Sequence, residues 1–190
     1  MSPELIAPNV RFFDSWQANT AEWQDDHQAG AGVWIADELG FDLATRDGFA
    51  GWVERLLVEA DPSFIAPGGR VPATTLWVVE GEEYLGAVNL RHRLNEFLAR
   101  IGGHIGYGIR PSARRRGLAT FALRGALARA ANLGIERALV TCDVGNEGSW
   151  RTIERCGGVL ESVIEPDAEA LARGFDQPKR RYWVPTGLRP

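Results

Sequence analysis

Residues 103–123 read GHIGYGIRPSARRRGLATFAL. An apolar, glycine-rich run is followed by Pro111, three consecutive arginines and Gly117, and then by a second apolar run with a different period. The first run, HIGYGI over 104–109, has strand character and ends at the proline. In the second, Ala119, Leu123, Ala126, Leu127 and Ala130 share one helical face, which predicts a helix over 117–133 with Gly134 as its stop. The apolar segment RALVTCD, 137–143, then reads as a buried strand. A strand–helix–strand unit permits parallel pairing of its two strands, so this segment restricts the chain to a mixed sheet with helices on its faces.

The flanking sequence predicts the remaining elements. Helices are expected over 10–25, with Phe12, Trp16 and Trp23 in helical steps, and from Thr45-Arg46-Asp47 to just before Asp61-Pro62. Residues 26–44 and APGGRVPA (66–73) read as loop and turn. TLWVVE (75–80) and YLGAVNLRHR (84–93) form a hairpin about Gly81. Residues 94–103 connect it to the next strand, with room for a helical turn. Ser149 is placed to cap a short helix running through Cys156, and VLESVI (159–164) and RRYWV (180–184) read as the closing strands. The expected order is α-α-β-β-β-α-β-α-β-β. With 190 residues, the chain is read as one domain, 1–190.

The arginines and Gly117 pose the functional question. First-turn amides of a helix lack intrahelical partners and carry partial positive charge, so an anion at that end satisfies both. Gly117 and Ala119 are small enough for a diphosphate to reach the backbone. Thr120 adds a hydroxyl, and Arg114, Arg115 and Arg116 add charge-assisted bonds. The alternative is a solvated charge cluster. Neither a Walker-type loop nor a Gly-x-Gly-x-x-Gly fingerprint is present.

Strand HIGYGI, loop RPSARRRGLA and helix together resemble the acetyl-coenzyme A motif of the GNAT superfamily of N-acetyltransferases, Gln/Arg-x-x-Gly-x-Gly/Ala. Arg114, Gly117 and Ala119 meet it. The element order over most of the chain is similar too, and NLRHRLNEFLARIGGHIGYGIRPS resembles a subgroup of bacterial predicted acetyltransferases. The resemblance implies an α/β (α+β mixed) fold, with a mostly antiparallel sheet of about six to seven strands whose fourth and fifth strands splay into a V. It implies acetyl-CoA as co-substrate, bound by Ile109, Arg114, Arg115, Arg116, Gly117, Leu118, Ala119, Thr120 and Asn146, with no metal. It implies direct attack by a primary amine, on a small cationic molecule or an exposed peptide. Backbone N–H groups near Ile109 would polarise the thioester carbonyl.

The family's usual acid, a tyrosine in the fourth helix, four residues after a small residue that follows the Asn, falls here on Ile153, counting from Asn146 and Ser149. Tyr107, near the expected thioester, and His104, at the start of its strand, are the candidates for proton transfer; an unperturbed imidazole titrates near ~6.5. Asp143 at the strand end is a further candidate, and a water chain is the alternative to all three. Each has a structural reading as well: Tyr107 packing on a helix, His104 bonding a neighbouring backbone, Asp143 bonding turn amides. Likewise Arg91-His92-Arg93 either lines an acceptor groove or lies on an edge strand with solvated charge. The missing tyrosine also admits a non-catalytic acyl-CoA sensor.

Residues 1–70 carry 12 Asp/Glu against 4 Lys/Arg, whereas residues 71–190 carry 13 against 17. If the leading helices wall the acceptor site, that acidity favours a cationic acceptor; otherwise it is solvated surface. An overall charge of −4 and one compact arginine run argue against nucleic acid. No apolar run is long enough for a bilayer. Cys142 and Cys156, both expected to be inert, make no disulfide framework, and with no export pattern at the N-terminus a cytoplasmic setting is expected. His27, His92 and His104 have no metal-ligand spacing. A homodimer is the default oligomer.

Overall fold

A computed structural model of the chain describes residues 2–23, 27–65 and 69–187. Seven strands form one sheet in the order β1-β2-β3-β4-β5-β7-β6. They are β1 (Glu4–Ile6), β2 (Ala73–Glu80), β3 (Glu83–Arg91), β4 (Ile105–Ile109), β5 (Arg137–Asp143), β6 (Val159–Ile164) and β7 (Lys179–Pro185). All pairings are antiparallel except β4–β5.

The helices are α1 (Phe13–Trp23), α2 (Val33–Leu39), α3 (Arg46–Val58), α4 (Leu118–Asn132), α5 (Glu147–Arg155) and α6 (Ala168–Ala172). On one face, α4 and α5 bury Leu123, Ala126, Ala130 and Ile153 against Val88, Leu90, Ile105, Val140 and Tyr182. On the other, α1–α3 bury an aromatic cluster: the Trp52 ring centroid lies 5.4 Å from Trp16 and 5.9 Å from Trp77. The alternation of strand side chains sends the buried residues of β2 and β3 to one core or the other, Val78, Val88 and Leu90 to the first and Trp77, Val79 and Ala87 to the second.

Several sequence expectations change. Residues 26–44 are not all loop. The chain from 33 to 39 is α2, entered and left through Gly32 (φ 78°) and Gly40 (φ 72°), so glycines that read as loop punctuation are its ends. β1 and α6 were not expected; they are three and five residues long, too short for a period to register. Asn146, rather than Ser149, caps α5, its side chain accepting from the Ser149 N–H at 3.0 Å. β3 is not an edge strand. It lies between β2 and β4, and Arg91 is half-buried, donating to the Gly102 and Gly103 carbonyls at 3.0 and 3.1 Å. Burial pulls the Arg91 guanidinium down to about 10. The ends of two expected segments, residues 24–25 of the first helix and 66–68 of the turn, lie outside the described residues.

Candidate functional site

β4 and β5 pair at one position only, Ile105 with Val140, and diverge beyond it. The base of the divergence is bonded tightly. The His104 N–H donates to the Leu139 carbonyl at 2.7 Å, and the Leu139 N–H donates to His104 Nδ1 at 2.9 Å. The Arg91 N–H donates to the His104 carbonyl at 2.8 Å, and Thr141 Oγ1 donates to the Ile101 carbonyl at 2.7 Å. Because His104 Nδ1 accepts, the neutral ring carries its proton on Nε2. Burial, reinforced by the Arg91 charge, lowers His104 to about 4, so the ring is neutral near pH 7.

Above this base the register directs backbone groups into the gap. The Arg110 N–H bonds the Leu85 carbonyl on β3, and the Arg91 N–H bonds the His104 carbonyl. The antiparallel alternation therefore turns residues 106 and 108 toward β3, and the amides of Tyr107 and Ile109 toward β5. The glycine content of β4 also has a cause. A Cβ on Gly108 would meet the Ala29 carbonyl oxygen at 2.7 Å and the Trp23 ring at 3.0 Å. Residues 27–32 thus press against β4 on the α1–α3 face. They are moored to α1 through polar side chains: Asn19 donates to Gln28 Oε1 at 3.1 Å, and Gln28 donates to Thr20 Oγ1 at 3.2 Å.

Glu22 of α1, unnoticed in the sequence, clasps the start of the β4–α4 connection. Its carboxylate accepts from Arg110 Nε at 2.6 Å, the Ser112 N–H at 2.9 Å and Ser112 Oγ at 3.1 Å. The Ser112 N–H bond is the main reason its carboxyl lies below the usual range, with Ser112 Oγ and Arg110 adding to it.

The connection then opens α4. Gly117 is the N-cap, at φ 82°, and it offers no side-chain acceptor to the first-turn amides. A Cβ there would meet nothing within 4 Å, so the space over Leu118, Ala119 and Thr120 is open. Arg115 is also left-handed, at φ 65°. Leu118 and Thr120 are buried, fixing the first turn against the core. The three arginines diverge. Arg114 Nε donates to the Ile109 carbonyl at 3.1 Å, with the guanidinium 5.1 Å from the Trp23 ring centroid. Arg116 reaches Glu80 at 2.6 Å, and Arg115 is exposed. A helix of fifteen residues, uncapped, arginine-flanked and open at its N-terminus, suits a diphosphate.

Across the gap, α5 begins at Asn146. The hydroxyl of Tyr107 lies 2.9 Å from Ser149 Oγ, joining β4 to α5. Burial raises Tyr107 well above the ordinary phenol range, so it holds its proton at neutral pH. Ile153, at the position of the missing tyrosine, is fully buried. Burial pushes the Cys142 thiol up to about 11 and raises Cys156, which fits inert thiols. Asp143 pairs with Lys179 at the far end of β5. The structure thus joins Tyr107 to Ser149 beside the Asn146 cap, and Arg114 to Ile109 ahead of Gly117–Thr120, next to the splayed β4–β5 pair, with His104 at its closed end. The contacts of Ser149 with Tyr107 and of Glu22 with Arg110 were missed because each spans more than 40 residues of chain, where no period or motif carries a signal. Among the described residues no cluster could hold a metal, and no helix is long and apolar enough to cross a membrane.

Comparison with solved structures finds the same fold. The microcin C7 self-immunity acetyltransferase MccE, in complex with acetyl-CoA and AMP, superposes with a TM-score of 0.65 at 15% identity, over 96% of this chain and 92% of that one. RimL, a ribosomal L7/L12 alpha-N-protein acetyltransferase in complex with coenzyme A, gives 0.66 at 15% identity, over 97% and 94%. A Salmonella typhimurium acetyltransferase that modifies the N-terminal serine of ribosomal protein L7/L12 gives 0.63 at 14%, over 97% and 95%. Among curated proteins none matches the sequence significantly. The acetyltransferase (GNAT) domain profile matches residues 7–159, most of the chain. With the splayed β4–β5 pair and the open α4 N-terminus in place, the chain belongs to the GNAT acetyltransferase family.

Proposed function

We propose that the protein transfers the acetyl group of acetyl-CoA to a primary amine, on a small cationic molecule or an exposed peptide terminus, by direct attack in a ternary complex. The observation that carries this reading is the single-pair β4–β5 junction, which leaves the Tyr107 and Ile109 amides facing a gap that leads from the open α4 N-terminus. Solved neighbours of this fold hold acetyl-CoA or coenzyme A. Here the first-turn amides of Leu118, Ala119 and Thr120, with Arg114, Arg115 and Arg116, would hold the diphosphate over Gly117. Asn146 would border the pantetheine arm. Acetyl-CoA supplies the acyl group as a thioester.

The residues divide the remaining work. The Tyr107 and Ile109 amides donate to the carbonyl oxygen, where negative charge develops during attack. The walls of the cleft hold amine and thioester together, the largest entropic saving open to a two-substrate reaction. The ammonium first loses a proton to water; as the N–C bond then forms and the C–S bond breaks, the Tyr107–Ser149 hydroxyl pair passes a proton to sulfur and regains one from water, and the proton left on the new amide nitrogen goes to water. His104 takes no part in proton transfer; it ties β4 to β5 as a neutral acceptor. The free thiols Cys142 and Cys156 suit a cytoplasmic setting.

The test is release of free coenzyme A from acetyl-CoA across a panel of primary amines and N-terminal peptides. Amine-dependent release supports transfer. A second reading, a non-catalytic acyl-CoA sensor, is favoured by the buried Ile153 where the family's acid stands. It predicts acetyl-CoA binding with no amine-dependent release by any member of the panel.

A further inference from the structure

Residues 27–32 back β4 on the face opposite α4 and α5, and they rest on the part of the strand whose edge meets the gap. A Cβ on Gly30, itself left-handed at φ 81°, would lie 2.5 Å from the Gly106 carbonyl oxygen and 2.8 Å from Cα of Tyr107. The wall therefore lies directly on the backbone that carries the Tyr107 amide. Its far end is held by Trp52 Nε1, which donates to the Gly32 carbonyl at 3.1 Å.

The near end is tied to α1 by a polar side chain in an apolar place. Asn19 is completely buried, on the same helical face as the buried Trp16 and Trp23. A leucine there would leave no polar group to satisfy. Both ends of the Asn19 amide are used instead: Oδ1 accepts from Trp23 Nε1 at 2.9 Å, and Nδ2 donates to Gln28 Oε1 at 3.1 Å. Gln28 also donates to Thr20 Oγ1 at 3.2 Å, which holds it to α1 but not to Trp23.

Trp23 leads to the cofactor end. Its ring lies beside Gly108, and the Arg114 guanidinium stands 5.1 Å from its centroid while Arg114 Nε donates to the Ile109 carbonyl. The neighbouring Glu22 grips Arg110 and Ser112. The last turn of α1 thus touches the connection that opens α4, and Asn19 joins that turn to the wall behind Tyr107.

Resting on the acyl-transfer reading, we infer that Asn19 is a positioning residue that couples occupancy of the α4 N-terminus to the order of the wall backing β4. A diphosphate seated there restrains Arg114 and the Trp23 ring beside it. Asn19 passes the restraint to Gln28 and residues 29–31. What is transmitted is order rather than displacement. The stiffened wall holds the Tyr107 amide steady against the carbonyl oxygen as charge develops there.

The probe is coenzyme A itself. NMR follows amide exchange of Ala29 and Ala31, whose N–H groups donate to the His27 and Gln28 carbonyls at 2.8 and 3.2 Å, with and without saturating coenzyme A. Calorimetry gives the coenzyme A affinity of each protein. In the parent, the cofactor is expected to slow both amides about threefold or more. Asn19→Leu keeps the position filled and apolar, and Gln28→Ala cuts the connection from the wall side. In both, the slowing should vanish while coenzyme A affinity stays within about threefold of the parent. An Asn19 that only stabilises the fold would speed exchange equally with and without cofactor and leave the ratio intact. Slowing that persists in either variant, its absence in the parent, or an affinity loss of about tenfold or more in either variant would each overturn the inference. A parent that binds no coenzyme A would overturn the acyl-transfer reading and the inference with it, and calorimetry separates that outcome from the others.

Discussion

The hydroxyl of Tyr107 on β4 and Oγ of Ser149 on α5 stand 2.9 Å apart across the β4–β5 cleft. In the proposed reaction, Tyr107 supplies from the strand the hydroxyl that Ile153 cannot supply from the helix. Tyr107→Phe is therefore expected to lower kcat by about 10²- to 10⁴-fold, the ordinary range for losing a positioned proton donor. Affinity for acetyl-CoA should be nearly unchanged, because the binding groups are backbone amides and arginines. Ser149→Ala should show a smaller loss. Steady-state kinetics beside direct binding of acetyl-CoA separates the two effects; equal kcat in Tyr107→Phe and the parent would remove the tyrosine from the mechanism.

His104 makes stability depend on pH. Its folded-state value is lowered to about 4 by burial and the Arg91 charge. Between pH ~4 and ~6.5 the unfolded chain binds the extra proton and the folded chain does not, so stability rises with pH across that window and levels off above it. The full contribution is on the order of 3 kcal/mol, lost as pH falls toward 4. Urea unfolding measured from pH 4 to 8 reads the slope. His104→Asn, whose side-chain oxygen can still accept from the Leu139 N–H, should flatten the curve over that range. Its pH profile for activity between 6.5 and 8 should match that of the parent.

Some of the charges of the first third are structural. Glu59 is buried, held by Arg55 Nε at 2.8 Å and by Arg70 at 3.3 Å, and Arg70 also reaches Glu38 at 2.8 Å. Arg70→Met leaves a buried carboxylate with one partner instead of two. A loss on the order of 2 kcal/mol in unfolding free energy is expected, below the full cost of isolating a buried charge because Arg55 remains. Acetyl-CoA binding to the folded variant should not change.

Gly108→Ala tests the wall over β4. The added methyl would lie 2.7 Å from the Ala29 carbonyl and 3.0 Å from the Trp23 ring, so residues 27–32 must move. Destabilisation of about 1–3 kcal/mol is expected. In the folded variant, KM for the amine should rise more than KM for acetyl-CoA, because the displaced wall borders the acceptor side.

The elements that carry the cofactor end of the cleft were readable from the sequence because their signals are local. RALVTCD is a strand over the seven residues expected, and the apolar face of α4 repeats at helical spacing from Ala119 to Ala130. Gly117 lies in the left-handed conformation that favours glycine. What was not readable depends on partners distant in sequence. Whether Arg91 is solvated or buried depends on β3 being interior, and hence on where β4 pairs. Val33–Leu39 buries only Ile35 and Ala36, too little to show a period. The acidity of residues 1–70 is a sum, and a sum does not show that Glu22, Glu38 and Glu59 are each engaged by an arginine.

The measurement that tests the central claim most directly is calorimetric titration with acetyl-CoA of three proteins: the parent, Gly117→Trp and Gly134→Trp. Both glycines are left-handed, at φ 82° and 77°, and at neither would a Cβ meet anything within 4 Å. They flank opposite ends of α4, so the two variants carry similar backbone strain, but only the first places an indole over the first-turn amides. The account predicts saturable binding by the parent and by Gly134→Trp, and its loss in Gly117→Trp. No binding by the parent, or equal binding by all three, would contradict it.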